Sequence, residues 1–542
     1  MILRWSSHLA AAYPLHMSGH RLRNLGVLAA LLGVLAACSN DPQTAPDQQS
    51  SVASPSATTT PTPEPPKDGR PLQPIPQVRP DGFTEPPPGT GLTRYQRQQL
   101  DWKPCGHGLS CTTMLAPLDY ADPDGTAITL AVAKRPADSN RRLGSLIINP
   151  GGPGGSGVGY VGYFNAAGLE SYDIVGWDPR GVGRSTPVVC YGPSDLDHYF
   201  SMDSSPDDPD EMQARVDEQI KFGQSCLSKS GALLEHISTT ETVRDLDLLR
   251  SLVGDSKINY FGSSYGTRIG ALYAELFPQR VGRMVLDGAV NINGKSKINQ
   301  IDGFERALQH FATWCADDAC RLGTQQDEVL SKIKEFLDRL DQQPLAVDGG
   351  RSLSQQQGVE AVFYSMYGGK SSWPDLRDAL TAAIFEEDGS GLLQLADASD
   401  RRDRDGTYGQ LMYAFPAIRC LDSRSDSVRA AEKKLAEESR RAPILGRLNG
   451  PDLVCPLWPV KPAPKQPAVD GNGAPPILVI GTTGDPATPY EYAMAMASEL
   501  SSGVLVTFDG EGHLAYGQSS CVKSLADAYL MRGQVPRDGT RC

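Results

Sequence analysis

The chain has 542 residues, of which 21% are charged and 39% hydrophobic, and a formal net charge of −13 at pH 7. This is too long for one small domain and long enough to bury a large core. Acidity without a basic block in the mature part argues against nucleic acid as a partner, and it names no substrate.

The first feature along the chain is an address. Arg21 and Arg23 precede an apolar run at 25–37 that ends Leu35-Ala36-Ala37-Cys38. A basic flank, a short apolar core and small residues before the cut describe a secretory signal over residues 1–37. Leu-Ala-Ala-Cys resembles the bacterial lipobox, which makes Cys38 the expected lipidation site and puts the protein on the membrane, facing the cell envelope. The alternative is a short transmembrane anchor, but ~13 apolar residues fall short of the ~20 that a span needs. Residues before Met17 add nothing to the signal, and Met17 is a second candidate start. Ser, Pro, Thr and Gln then dominate, and residues 38–91 read as a disordered tether with too little apolar surface to offset its ordering entropy. As a flexible coil it holds a domain on the order of 40 Å from its anchor.

Of the eleven cysteines, all but Cys38 are expected in disulfides, as suits an exported chain. Pairing sequence neighbours gives Cys105 with Cys111, Cys190 with Cys226, Cys315 with Cys320, Cys420 with Cys455, and Cys521 with Cys542. No Cys/His grouping has zinc spacing, so no metal is expected.

Residues 128–132, 145–149 and 172–177 read as buried strands. Apolar Val243, Leu246, Leu249 and Leu252 share one face of a helix over 240–252. A strand at 258–261 is followed by a helical pattern at 267–277, then by strands at 284–290, 476–480 and 504–508. Strands alternating with helices predict a mostly parallel sheet covered on both faces. Between 291 and 473 the pattern turns helical (304–314, 329–340, 358–367, 373–385), as for a lid over the strand ends where open α/β sheets bind ligands; a separate helical domain is the other possibility. The expected division is core at 92–290, lid at 291–473 and core again at 474–542.

Gly262-Ser263-Ser264-Tyr265-Gly266 sits between the strand at 258–261 and its helix, the context in which Gly-x-Ser-x-Gly makes a nucleophile elbow. A serine hydroxyl needs a base, and the base needs an acid to fix its tautomer. With the order Ser, acid, His, the base must follow the late strands. His8, His16 and His20 lie in the leader, and His107, His198, His236 and His310 all come too early. His513, in Gly510-Glu511-Gly512-His513, is left. Asp485, in the turn after the strand at 476–480, is the expected acid, with Asp509 and Glu511 as nearer competitors. Asn149-Pro150-Gly151-Gly152-Pro153-Gly154-Gly155 lacks the Gly-Lys-Ser/Thr ending of a phosphate loop. It reads as an oxyanion loop, with the Gly152 and Tyr265 amides as donors.

Taken together, residues 149–157, Asp178-Pro179-Arg180-Gly181-Val182-Gly183-Arg184-Ser185, the elbow, Asp485-Pro486-Ala487-Thr488-Pro489 and Gly512-His513 form a recognisable set. Over residues 92–542 the chain resembles the actinobacterial tripeptidyl aminopeptidase family of α/β-hydrolases, relatives of proline iminopeptidase. It is similar in particular to the lipid-anchored mycobacterial cell-envelope serine proteases. The resemblance implies an α/β-hydrolase fold with an inserted helical lid, and peptide-bond hydrolysis through an acyl-enzyme without cofactors. It implies release of short peptides, tripeptides among them, from free N-termini of peptide or protein substrates. Ester hydrolysis at envelope lipids and endopeptidase action on one envelope protein are the alternatives. Asp422, in Ala417-Ile418-Arg419-Cys420-Leu421-Asp422, matches an acidic residue that lies near the cleft in the family, for contact with the substrate's amino end; a surface or fold-supporting role is the equal alternative. Asp178 and Arg180 are expected to support the turn under the oxyanion loop. Proline iminopeptidases bind the substrate amine with lid glutamates; Glu360, Glu386 and Glu387 lie in this lid, and spacing does not select among them.

Overall fold

Aliphatic runs without polar alternation make strands that need cover on both faces. In the computed structural model, which describes residues 75–76, 78–138, 141–318, 320–347, 349–423 and 427–542, such runs build the centre of a large sheet. The signal, Cys38 and most of the tether lie outside the described residues. In chain order the strands are β1 (Phe83–Thr84), β2 (Lys103–Pro104), β3 (Ser110–Pro117), β4 (Ala127–Arg135), β5 (Gly144–Asn149), β6 (Tyr172–Trp177) and β7 (Ile258–Ser263). They continue with β8 (Val281–Asp287), β9 (Leu345–Val347), β10 (Arg351–Leu353), β11 (Ile477–Gly484), β12 (Gly503–Glu511) and β13 (Thr540–Arg541). Eleven of them form one sheet ordered β13-β12-β11-β8-β7-β5-β6-β4-β3-β2, with β1 on β4; β9 and β10 form a separate hairpin.

From β13 to β6 every neighbour is parallel. Antiparallel pairing is confined to the N-terminal strands. This is the α/β-hydrolase fold. In β5, Ile147 belongs to the apolar cluster on one face of the sheet and Leu146 and Ile148 to the cluster on the other. Burying each such side chain contributes roughly 1.5–3 kcal/mol, so a polar residue at either register would be strongly unfavourable. The strand expected at 284–290 instead spans Val281–Asp287. Gly288, at φ +68°, turns the chain away before the apolar run is finished. The N-terminal hairpin strands were not expected, because Ser110, Thr112 and Thr113 break the apolar pattern. Gln98 covers part of the β3 edge, its amide exchanging bonds of 2.8 and 2.7 Å with the Leu115 carbonyl and N–H.

Between β8 and β11 the described residues form eight α-helices. Gln300–Asp317, Gln326–Gln342, Gln355–Tyr367 and Trp373–Phe385 overlap the expected four, and Ser390–Ser399, Leu411–Asp422, Val428–Arg441 and Leu445–Leu448 are additional. Most share their own apolar core around Phe311, Leu337, Val362 and Trp373. Helix Leu411–Asp422 does not: Ala414, Ala417, Ile418 and Leu421 pack into the main hydrolase core.

Beneath the oxyanion loop, Asp178 accepts from the Ser156 hydroxyl at 2.6 Å and from the Val158 and Arg184 amides at 3.0 and 2.8 Å. Arg180, with no exposed side-chain surface, forms a bidentate pair with Asp245 at 2.7 and 2.8 Å. Both side chains hold loops together inside the protein. Disulfides join Cys105–Cys111, Cys190–Cys226, Cys315–Cys320, Cys420–Cys455 and Cys521–Cys542.

Candidate active site

β7 delivers Ser264 at φ 55° and ψ −125°, an unfavourable backbone conformation for a residue with a side chain. The turn closes because its neighbours lack side chains. A Cβ on Gly262 would sit 2.4 Å from the Gly266 carbonyl oxygen. The Ser264 amide donates to the Asp287 carbonyl at 2.8 Å, anchoring the elbow to the end of β8. Helix Tyr265–Leu276 starts immediately afterwards.

The oxyanion loop follows β5 and lies against that elbow: the Cβ position of Gly151 is 2.9 Å from the Tyr265 nitrogen. Gly151 N–H donates to Asn149 Oδ1 at 2.9 Å, and Gly155 N–H to the Gly151 carbonyl at 3.0 Å. The Gly152 and Tyr265 amides have no acceptor among the described residues. Two unengaged N–H groups on adjoining backbone, one of them at the first position of a helix, form a site for developing negative charge.

His513 follows β12, and its Nδ1 lies 3.0 and 2.9 Å from the two Asp485 carboxylate oxygens. Asp485 follows β11 and is itself held by the Ala487 and Thr488 amides at 2.9 and 2.8 Å. Thr488 Oγ1 donates to Asp485 Oδ2 at 3.0 Å and lies 3.3 Å from His513 Nδ1. The competing acids are engaged elsewhere: Asp509 pairs with Arg541, and Glu511 lies 3.1 Å from His310 Nδ1. Among the described residues the Ser264 hydroxyl makes no hydrogen bond. Its link to His513 runs through Asp287-Gly288: the Gly288 Cβ position is 3.1 Å from His513 Cε1. The Asp287 carboxylate accepts from the Ala515 amide at 3.1 Å and the Tyr516 amide at 2.9 Å.

Burial favours neutral imidazole, but the Asp485 charge, its hydrogen bond and the Asp287 charge outweigh it, so His513 holds its proton more tightly than an ordinary histidine. Burial pushes the Asp287 carboxyl up to about 6, against the Tyr516 and Ala515 amides and the charge on His513. Sequence reasoning missed Asp287, although an aspartate closing an apolar strand beside a glycine was a signal to follow.

The helical insertion supplies Tyr367, whose ring meets that of His513 edge-on at 5.5 Å and whose carbonyl accepts the His513 amide at 2.8 Å. Tyr367 keeps 41% of its surface exposed. Of the glutamates expected in a lid, Glu386 is in an exposed pair with Arg321 at 3.0 Å, and Glu387 is exposed. Glu360 lies on the same helix as Tyr367 and accepts from Ser399 Oγ. The next residue, Asp400, is 8% exposed and has no hydrogen-bond or ion-pair partner for its carboxylate among the described residues. It lies close enough for its charge and that of Glu360 to disfavour one another. Burial, followed by the Glu360 charge, holds the Asp400 carboxyl well above the usual range. Asp422, expected at the substrate's amino end, has other partners: its carboxylate accepts from the Thr239 amide at 2.8 Å and from Gln466 Nε2 at 3.1 Å. Asp207, Asp208 and Glu211, the grouping of possible metal donors among the described residues, serve at a helix start, where Asp208 accepts the Asp210 and Glu211 amides at 2.8 and 2.9 Å.

Residues 144–314 match the family model described as alpha/beta hydrolase fold, and residues 442–542 match the one described as TAP-like protein. The chain is 36% identical over 481 residues to serine protease Hip1 of Mycobacterium tuberculosis, covering 82% of this chain and 91% of that protein. It is 35% identical over 494 residues to carboxylesterase B of the same organism, covering 85% and 94%. With the tripeptidyl aminopeptidase of Streptomyces lividans it shares 31% identity over 481 residues, covering 83% and 87%. An elbow serine, two unengaged amides beside it and a carboxylate-bound histidine, on a fold shared at this identity over most of each chain, identify a serine hydrolase that belongs to the tripeptidyl aminopeptidase family of α/β-hydrolases.

Proposed function

We propose that this protein is a serine peptidase of the cell envelope that removes short peptides, tripeptides among them, from free N-termini. Ser264 attacks the scissile carbonyl as His513 takes its proton, while Asp485 fixes the imidazole through Nδ1. The Gly152 and Tyr265 amides hold the oxyanion. His513 then protonates the leaving amine, and water resolves the acyl-enzyme by the same route.

The observation that carries the amino-terminal part is an acidic pair on the inserted helices: Glu360 accepts the Ser399 hydroxyl, and Asp400 is the next residue. The charges of Glu360 and Asp400 disfavour one another, and a substrate α-ammonium would offset that repulsion. Glu360 and Tyr367 lie seven residues apart on one helix, about 10 Å at 1.5 Å per residue. An extended peptide advances about 3.3 Å per residue. A carbonyl at Ser264, beside Tyr367 and His513, therefore leaves the amine of a peptide two or three residues long within reach of the acidic pair. The names of the Streptomyces and Hip1 relatives support the same reading.

The test is mass-spectrometric analysis of products from a peptide library, with Ser264→Ala as control. Tripeptides released from free N-termini by wild type alone are expected, and N-acetylation of the same peptides should abolish release. Glu360→Gln should raise KM for free-amine peptides about 10-fold, the weight of one charge-assisted contact. Internal cuts would favour an endopeptidase. The carboxylesterase relative favours a second reading, ester hydrolysis at envelope lipids, which requires faster turnover of short-chain esters than of any peptide. Attachment rests on the lipobox: detergent-phase partitioning should be lost in Cys38→Ala.

A further inference from the structure

The helix Leu411–Asp422 touches both halves of the oxyanion site. Its first turns press on the loop after β5: the Cβ position of Gly152 is 3.1 Å from Leu411 Cδ1, and that of Gly154 is 2.9 Å from Ala414 Cβ. Its last residue reaches the elbow. Asp422 Oδ2 accepts the Thr239 hydroxyl, and Thr239 Oγ1 is bonded in turn to the Tyr265 hydroxyl. Thr239 has a single hydroxyl proton, and a carboxylate can only accept. The chain therefore has a direction, with the Tyr265 O–H donating to Thr239 and Thr239 to Asp422. Thr239 is fully buried, and its amide fixes the other carboxylate oxygen. Among the described residues, Gln466 and, at 3.9 Å, Arg268 also face Asp422.

This helix is also braced. Cys420 is disulfide-bonded to Cys455, and Arg419 forms a bidentate pair with Asp452. A rigid element anchored in the main core thus holds the ring of the residue whose amide must face the oxyanion.

We propose that Asp422 is a positioning residue for the oxyanion hole, acting through Thr239 on Tyr265, with helix Leu411–Asp422 as the strut that sets the spacing between the Tyr265 and Gly152 amides. The assignment rests on serine-hydrolase chemistry alone and does not require a peptide substrate.

The test uses the full chain and probes that need only Ser264: a short p-nitrophenyl ester, its thionoester counterpart, and a fluorophosphonate label. Thr239→Val, Tyr265→Phe and Asp422→Asn are compared with wild type, alongside melting curves. Each variant is expected to lower kcat and the labelling rate about 10-fold, less than loss of a whole donor, with KM within about twofold. Combining Thr239→Val with Tyr265→Phe should cost no more than either alone, since both cut one chain. The preference for the ester over the thionoester should shrink, because a sulfur anion depends less on those donors. An unchanged preference would overturn the proposal even if kcat fell. So would wild-type kcat in Tyr265→Phe, which removes one hydroxyl and decides the matter should Asp422→Asn fail to fold. A rise in KM confined to free-amine peptides in Asp422→Asn, with ester kinetics intact, would likewise overturn it and return Asp422 to the substrate.

Discussion

The proton on His513 is subject to opposed influences, and their balance fixes the pH dependence. Burial disfavours the imidazolium, whereas Asp485 and Asp287 favour it and prevail. Only neutral His513 can accept the Ser264 proton, so kcat/KM should rise with pH through an inflection above the ordinary value of 6.5. Asp485→Asn leaves burial less opposed. Its inflection should fall relative to wild type, with kcat lower by about 10⁴-fold; a pH–rate profile of both proteins measures this. Because the folded value is raised, the associated stability is full below the unfolded pKa and is lost as pH climbs through the folded one. Activity and stability therefore run in opposite directions across that window. At this scale the sequence was informative where chain order constrains chemistry: Ser264, Asp485 and His513 follow from it, and the structure places Asp485 on His513. Asp400 and Asp287 were not legible, because their roles arise from what packs around them. Asp422 shows the reverse: its segment was legible as a motif, but its hydrogen bonds lead to Thr239.

At the scale of elements, the short loops after strands carry the chemistry, and their backbones approach too closely for side chains. Gly152 has φ +112°, and its Cβ position is 2.8 Å from the Gly154 nitrogen and 2.9 Å from the Gly155 nitrogen. Gly152→Ala should displace the amide that faces the oxyanion and lower kcat by about 10²-fold. Steady-state kinetics would show this at nearly unchanged KM. The parallel strands were readable because burial on both faces demands unbroken apolar runs. β3 was not, since polar residues at its start break the pattern and the Gln98 side chain stands in for a neighbouring strand along part of its edge. Helix Leu411–Asp422 was equally hidden, with Pro416 within it.

For the whole molecule, the disulfides divide by the length of chain they close. Cys190–Cys226 and Cys420–Cys455 span 36 and 35 residues, while Cys315–Cys320 spans 5. Loop entropy in the unfolded chain assigns about 4 kcal/mol to each long bridge and about 2 to the short one. Replacing Cys190 and Cys226 by serine should therefore shift the denaturant midpoint more than replacing Cys315 and Cys320. Equal shifts would show that the bridges act through the folded state instead. The pairing was legible from sequence because each cysteine has a near neighbour along the chain.

The helical insertion between β8 and β11 has a consequence for biogenesis. It places Ser264 before the insertion and both Asp485 and His513 after it. A chain emerging from the ribosome thus carries a nucleophile with neither base nor acid until β11 and β12 have been made and have joined the sheet beside β8. The triad is therefore among the last parts of the molecule to be completed.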